Sequence, residues 1–140
     1  MARYLLDTNI LVYVLLSEFD NISKETEEIL NEYNNQLYTS SISVLELLQL
    51  YRIKKIQAKK YKTATELHIA IEKDFNIKII PFTKEHTKTL SKLKIASHHN
   101  DPFDHAILSQ AITENLILVS SDKKFKEYTS QLLHFVFNKR

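Results

Sequence analysis

The sequence predicts an α/β domain built on a parallel sheet that is covered on both faces. Short apolar runs alternate with longer helix-patterned segments from one end of the chain to the other, the order that parallel crossovers produce. A length of 140 residues suits one domain with a core of its own. No internal repeat, low-complexity stretch or linker interrupts it.

The elements follow from local pattern. Arg3–Leu6 is a short buried strand and Thr8–Leu16 an apolar helix. After a polar break over residues 20–23, Ser23 is placed to cap a helix over Lys24–Tyr33. Glu25, Glu27 and Glu28 suit the positive end of its dipole. Gln36–Thr39 is a brief strand. Ser41 then caps a long apolar helix, Ile42–Ile53, that runs into a basic stretch with Lys54, Lys55, Lys59, Lys60 and Lys62. A helix over about residues 61–74 closes at Asn76, before the strand Ile77–Pro81. Thr83 opens a helix that reaches about Ala96, and residues 97–100 form a loop. Pro102 lies in the first turn of the next helix, where proline is tolerated, and that helix runs to Asn115. Leu116–Val119 is a strand, Lys123–Tyr128 a short helix and Leu133–Phe137 a last strand. Phe82, Phe103, Phe135 and Phe137 read as core.

Composition excludes several chemistries. The chain has no glycine, so neither a P-loop nor a dinucleotide fingerprint can form. Left-handed turns fall to asparagine, and Asn34, Asn35, Asn76, Asn100 and Asn115 all sit at element boundaries. With no cysteine there are no disulfides, thiolate zinc sites or cysteine nucleophiles. No apolar run reaches the length of a membrane span and no secretory pattern opens the chain, so a cytoplasmic location is expected. Net charge is +2; four acids drawn around a metal would leave a mildly basic surface, compatible with a polyanionic substrate.

Four carboxylates stand out. Asp7 and Asp122 each follow an apolar strand, the end of a parallel sheet where ligands bind, although each is also placed to cap a following helix. Glu46 is the lone charge in Ser43-Val44-Leu45-Glu46-Leu47-Leu48, on a helix apolar nearly all round. It needs a metal or a buried cation such as Arg3 or Arg52. Asp104 shares a helix face with Ile107, Leu108 and Ala111, and Asp101 lies one turn earlier as a cap or an outer acid. Four acids so placed are hard to explain as independent caps. Hard oxygen donors select Mg²⁺ or Mn²⁺, and the chemistry they suit is metal-assisted phosphodiester hydrolysis. Glu46 is the candidate to orient or deprotonate the attacking water, and the compact acidic pocket suits single-stranded RNA better than duplex DNA.

Taken together, LLDTNIL, the helix with SISVLELL, NDPFDHAILSQA and LILVSSDKKF resemble a PIN domain, specifically the small VapC-like toxins of bacterial toxin–antitoxin pairs. The resemblance covers almost the whole chain, residues 1–140, in the family's order. It implies a three-layer α/β/α sandwich around a parallel sheet of about four to five strands. It also implies a Mg²⁺- or Mn²⁺-dependent endoribonuclease acting on structured RNA such as tRNA or rRNA. The matching acids are Asp7, Glu46, Asp104 and Asp122, with Asp101 as the first Asp of DPFD. Thr8 and Ser120 match the hydroxyls that support the first and last acids. A homodimer and a cognate antitoxin, whose tail enters the active site, are implied as partners. The family often has Arg directly after DPFD where this chain has His105, which lacks Arg's fixed charge and bidentate reach at neutral pH.

Weaker candidates surround this set. Lys123 and Lys124 adjoin Asp122 and are placed to touch substrate phosphate. Lys54 and Lys55, with Tyr51 and Tyr61 as stacking platforms, read equally as an RNA track or a solvated surface. His98 and His99 precede the acidic helix as loop histidines that contact RNA, shuttle a proton or do neither. Two other functions remain open. A phosphoryl-transfer domain would want a second Asp beside Asp7 and a Lys at a later strand end, which this chain lacks. A binding module would keep the fold without turnover.

Overall fold

Leu5 and Leu6, side by side in strand β1 (Arg3–Leu6), are both fully buried and point into different cores. Leu6 packs with Val119 in one apolar layer, whereas Leu5 packs with Leu118 in another. That alternation is what a strand covered on both faces requires. The computed structural model describes residues 1–140. Around β1 lie β2 (Gln36–Ser40), β3 (Ile77–Ile80), β4 (Ile117–Ser120) and β5 (His134–Phe137). The sheet order is β3-β2-β1-β4-β5, with every neighbouring pair parallel. The expected three-layer sandwich with a parallel sheet is therefore the fold.

Helices α1 (Thr8–Leu15), α2 (Lys24–Asn31), α3 (Ser41–Arg52) and α4 (Ala64–Lys73) supply the first layer; α5 (Lys84–Lys92) and α6 (Pro102–Glu114) lie against the second. Helix α3 reaches both, with Val44 and Leu47 in the first and Ile42 against the second, and it touches α6. Within α6 every residue from Ala106 to Ala111 is buried, so the middle of this helix is core on all sides. No helix is long and apolar enough to cross a membrane.

Several element ends differ from expectation because tertiary bonds replace helical ones. Helix α5 stops at Lys92 rather than near Ala96. There the side chain of Gln131 brackets Lys94, accepting from its amide at 3.0 Å and donating to its carbonyl at 2.9 Å, while the Ala96 amide donates to Tyr128. Helix α3 is capped by Ser40, not Ser41, whose hydroxyl instead accepts from the Phe82 amide. Helix α4 begins three residues later than expected, at Ala64, where Thr63 accepts the Glu66 amide as N-cap. Helix α2 ends at Asn31 instead of Tyr33, and β4 runs one residue later than expected, ending at Ser120. Residues Phe19–Asn21 and Lys123–Gln131 form 3₁₀ helices. Phe103, expected in the core, is 40% exposed, because it lies in the first turn of α6, ahead of the buried stretch that starts at Ala106.

Without glycine, six other residues take positive φ: Ser17, Lys54, Asn76, His98, Asn115 and Leu132. Asn76 and Asn115 are the expected asparagines; Asn34, Asn35 and Asn100 stay right-handed or extended. Leu132 is the costly case, since a left-handed leucine at φ 73 crowds its own Cβ and this side chain is 79% exposed, so packing returns little. Leu132→Gly is expected to stabilise the fold by about 1 kcal/mol or somewhat less, the relief of that crowding net of glycine's entropy. Urea denaturation measures it, and an unchanged or lower midpoint would contradict the strain.

Candidate metal centre

Between β1 and β4 the strand order reverses, and a crevice opens at the carboxyl ends of two adjacent strands. Asp7 leaves β1 directly into α1, and Asp122 leaves β4 after Ser120 and Ser121. Glu46 comes from the second turn of α3 and Asp104 from the first turn of α6, two helices in contact. Topology thus gathers residues that are up to 115 positions apart. Their charges act on one another: Asp104 and Glu46 on Asp7, Asp101 and Asp122 on Asp104, Asp101 and Asp104 on Glu46.

Asp7 is the buried member, 4% exposed. Its Oδ1 accepts from the Thr8 amide at 2.8 Å, and its Oδ2 accepts from the Ser120 hydroxyl at 2.6 Å and Asn9 Nδ2 at 3.3 Å. Burial raises its pKa from 3.8 to about 7; the Ser120 and Thr8 bonds oppose the rise, and the Asp104 and Glu46 charges add to it. Ser120 is a hub, since its hydroxyl also accepts from the Asp122 amide at 3.0 Å and from Asn9 Nδ2 at 3.2 Å. Asn9 Oδ1 accepts from the Ser121 amide, so one asparagine braces both strand ends. Asn9 is not among the residues that the sequence singles out; its position two residues after a strand-end aspartate is the one signal of its role.

Glu46 is half-buried, and the Thr8 hydroxyl donates to its Oε1 at 2.7 Å. Thr8 therefore supports Asp7 through its amide and Glu46 through its hydroxyl. Neither Arg3 nor Arg52 pairs with Glu46: Arg3 donates to the Glu114 carbonyl, and the close contacts between basic and acidic side chains are His86–Glu114 and His99–Asp104. Burial is the main cause that raises the pKa of Glu46 and of Asp104, opposed by Thr8 and His99 respectively.

Capping and clustering turn out to be compatible. Asp7, Asp101 and Asp122 each accept an amide from the first turn of a helix, that of Thr8, Phe103 and Lys124. Even so, Glu46 Oε2, Asp104 Oδ1 and Asp122 Oδ2 accept no hydrogen bond within the protein. Oxygen donors that are anchored on one side and free on the other, with no Lys or Arg paired to them, suit a hard divalent cation such as Mg²⁺ or Mn²⁺. Asp101 is exposed at the rim.

His99 is 1% exposed, which removes it from direct contact with RNA. Its Nε2 lies 3.0 Å from Asp104 Oδ2 and its Nδ1 2.7 Å from the Tyr128 hydroxyl. His105 also turns inward, donating from Nε2 to the His99 carbonyl at 2.7 Å. Lys123 and Lys124 line an open groove of about 570 Å³ with Asn9, Tyr13, Asp122 and Arg140. Lys54 and Lys55 are not brought to the acids: the loop after them shares a groove with Leu15, Leu16 and Ser17, at the far end of α1 from Asp7. Tyr61 is no stacking platform, being 7% exposed with its hydroxyl on Asp74.

A family model described as the PIN domain matches residues 4–130. Among solved structures, the chain is similar to one of VapBC2 from Rickettsia felis bound to a DNA fragment from their promoter. The identity is 28%, with 98% of this chain and 99% of that chain covered and a TM-score of 0.69. VapBC-1 from nontypeable Haemophilus influenzae (19% identity, 96% and 97% covered, TM-score 0.63) shares the fold. So does VapBC-5 from Mycobacterium tuberculosis, a member of the VapBC family of toxin–antitoxin systems (14%, 98% and 99%, TM-score 0.63). No curated protein matches the chain.

The buried Asp7 makes a pH prediction. Its folded pKa lies above the unfolded value, so the stability it confers is full below about 3.8 and is lost as pH rises through about 7. In EDTA, Asp7→Asn is expected to gain on the wild type over that window and to exceed it at pH 8, by at most roughly 4 kcal/mol. Urea titrations at pH 5 and pH 8 read the difference; a gap that does not widen with pH would mean that Asp7 is not desolvated.

Proposed function

The chain belongs to the PIN domain family, and from that membership we propose that it is a Mg²⁺- or Mn²⁺-dependent endoribonuclease. We read it as the toxin of a toxin–antitoxin pair, inhibiting translation by cutting tRNA or rRNA. The observation that carries the nuclease reading is the convergence of Asp7, Glu46, Asp104 and Asp122 at the switch point, three of them with an unengaged oxygen. The toxin reading draws support from the similarity to the VapBC2 structure over nearly the full length of both chains. A cognate antitoxin and a second copy of the chain are its proposed partners.

Asp7, Glu46, Asp104 and Asp122 would hold the metal, with Thr8, Ser120 and Asp101 in support. The chemistry a bound divalent ion supplies is positive charge toward phosphate oxygens and a more acidic attacking water. Ser120 and Asn9 fix Asp7 against the strand ends, so its carboxylate does not have to reorganise during the reaction. Thr8 pins one oxygen of Glu46 and leaves the other to take a proton from water; its raised pKa brings it nearer to the working range of a general base. Lys123 and Lys124 offer cations to flanking phosphates along the groove beside Asp122.

Purified, antitoxin-free protein is expected to cut total cellular RNA into discrete fragments with Mg²⁺ or Mn²⁺ and to stop with EDTA. Asp7→Asn should lower that cleavage by at least ~100-fold, the rate equivalent of the several kcal/mol such a site supplies. A folded protein that cuts nothing in either metal, or an undiminished Asp7→Asn, contradicts the reading. Joint replacement of Lys123 and Lys124 by Ala should weaken RNA binding and reduce the salt slope by about 1.4. An unaltered slope would place the RNA path elsewhere.

A further inference from the structure

His99 is buried and makes every hydrogen bond its ring allows, yet none of the roles above uses it. The Tyr128 hydroxyl is fully buried and has two polar neighbours. It accepts from the Ala96 amide at 3.0 Å, and it lies 2.7 Å from His99 Nδ1. A buried phenol O–H needs an acceptor, and Nδ1 is the one within reach. Nδ1 therefore carries the lone pair, and the proton of the neutral ring sits on Nε2, facing Asp104 Oδ2 at 3.0 Å. The ring is also caged, edge-on to Phe125 at 5.7 Å and to His105 at 5.0 Å, behind a left-handed His98.

The ligating atoms of His99, Asp104 and Asp122 lie within 4.8 Å of one another, a spacing that would also let His99 bind a metal. Coordination would need the lone pair on Nε2 and the proton on Nδ1, leaving the Tyr128 hydroxyl facing an N–H with no acceptor. We propose instead that His99 is a positioning residue: Tyr128 fixes its tautomer, Nε2–H holds Asp104 Oδ2, and Asp104 faces the site through Oδ1 alone. Tyr128 and Phe125 belong to the 3₁₀ helix capped by Asp122, so the same contacts tie Asp122's segment to the helix carrying Asp104. The inference rests on the reading of Asp104 as an acid of the metal site.

Imidazole ¹⁵N–¹H correlation spectra of the wild-type protein test it without a variant. Without metal, His99 should show a protonated Nε2 and a bare Nδ1, and added Mg²⁺ should leave both unchanged. A proton on Nδ1 would overturn the proposal, and so would loss of the Nε2 proton when Mg²⁺ is added, which would make His99 a ligand. Calorimetric titration with Mn²⁺ adds a second arm. His99→Leu should weaken binding on the order of 10-fold, as the loss of an outer partner does. His99→Gln, whose side-chain amide can donate from nearly the same place, should recover most of it. Wild-type affinity in His99→Leu would also overturn the proposal. Absent Mn²⁺ binding by a wild type with the Nε2–H tautomer would count against the metal reading and leave the His99–Asp104 geometry standing.

Discussion

The hydrogen bond from Ser120 to Asp7 joins the carboxyl ends of the two strands at the switch point, and the centre is built around it. A carboxylate that is 4% exposed, with no cation paired to it and two further acids acting on it, is an unfavourable group to fold around. Ser120, Thr8 and Asn9 offset part of that cost with donors, and a proton or a cation can offset the rest. Anchoring and frustration occur in the same atoms. The arrangement makes sense as a preorganised cation site and poor sense as a device for stability.

Asp7, Asp101 and Asp122 show why single-residue arguments were ambiguous. Each caps a helix, and capping would account for each of them alone. What capping cannot account for is that the three capped termini, with Glu46 and Asp104, meet at one edge of the sheet. Parallel topology produces that meeting: the carboxyl ends of the strands lie on one side, and α6, which leads back into β4, starts from that same side.

Much of this was legible in the sequence because it depends on local pattern. Alternating apolar strands and helices place the five strands, and Asp7 and Asp122 are visible as acids at strand ends. What escaped depends on partners distant in the chain. The end of α5 is set by Gln131, and the cap of α3 moves to Ser40 while Ser41 serves Phe82. The burial of His99 is decided by Tyr128 and Phe125, residues that a loop histidine gives no hint of. Lys54 and Lys55 read equally as an RNA track or a solvated surface because charge runs carry no address; the fold puts them at the end of α1 away from Asp7. The glycine-free composition suggested asparagine turns, and only Asn76 and Asn115 of the five take that role, with Ser17, Lys54, His98 and Leu132 completing the set.

We propose that the buried Asp7 and its neighbours are a cation site whose occupant takes the place of a proton. Calorimetric titration of Mn²⁺ into the protein, in buffers of different ionisation enthalpy, measures the protons released on binding. Release should approach one proton near pH 6, decline by pH 8 as Asp7 ionises unaided, and be largely absent in Asp7→Asn. Mn²⁺ binding with no proton release at pH 6, or equal release from Asp7→Asn, would contradict it.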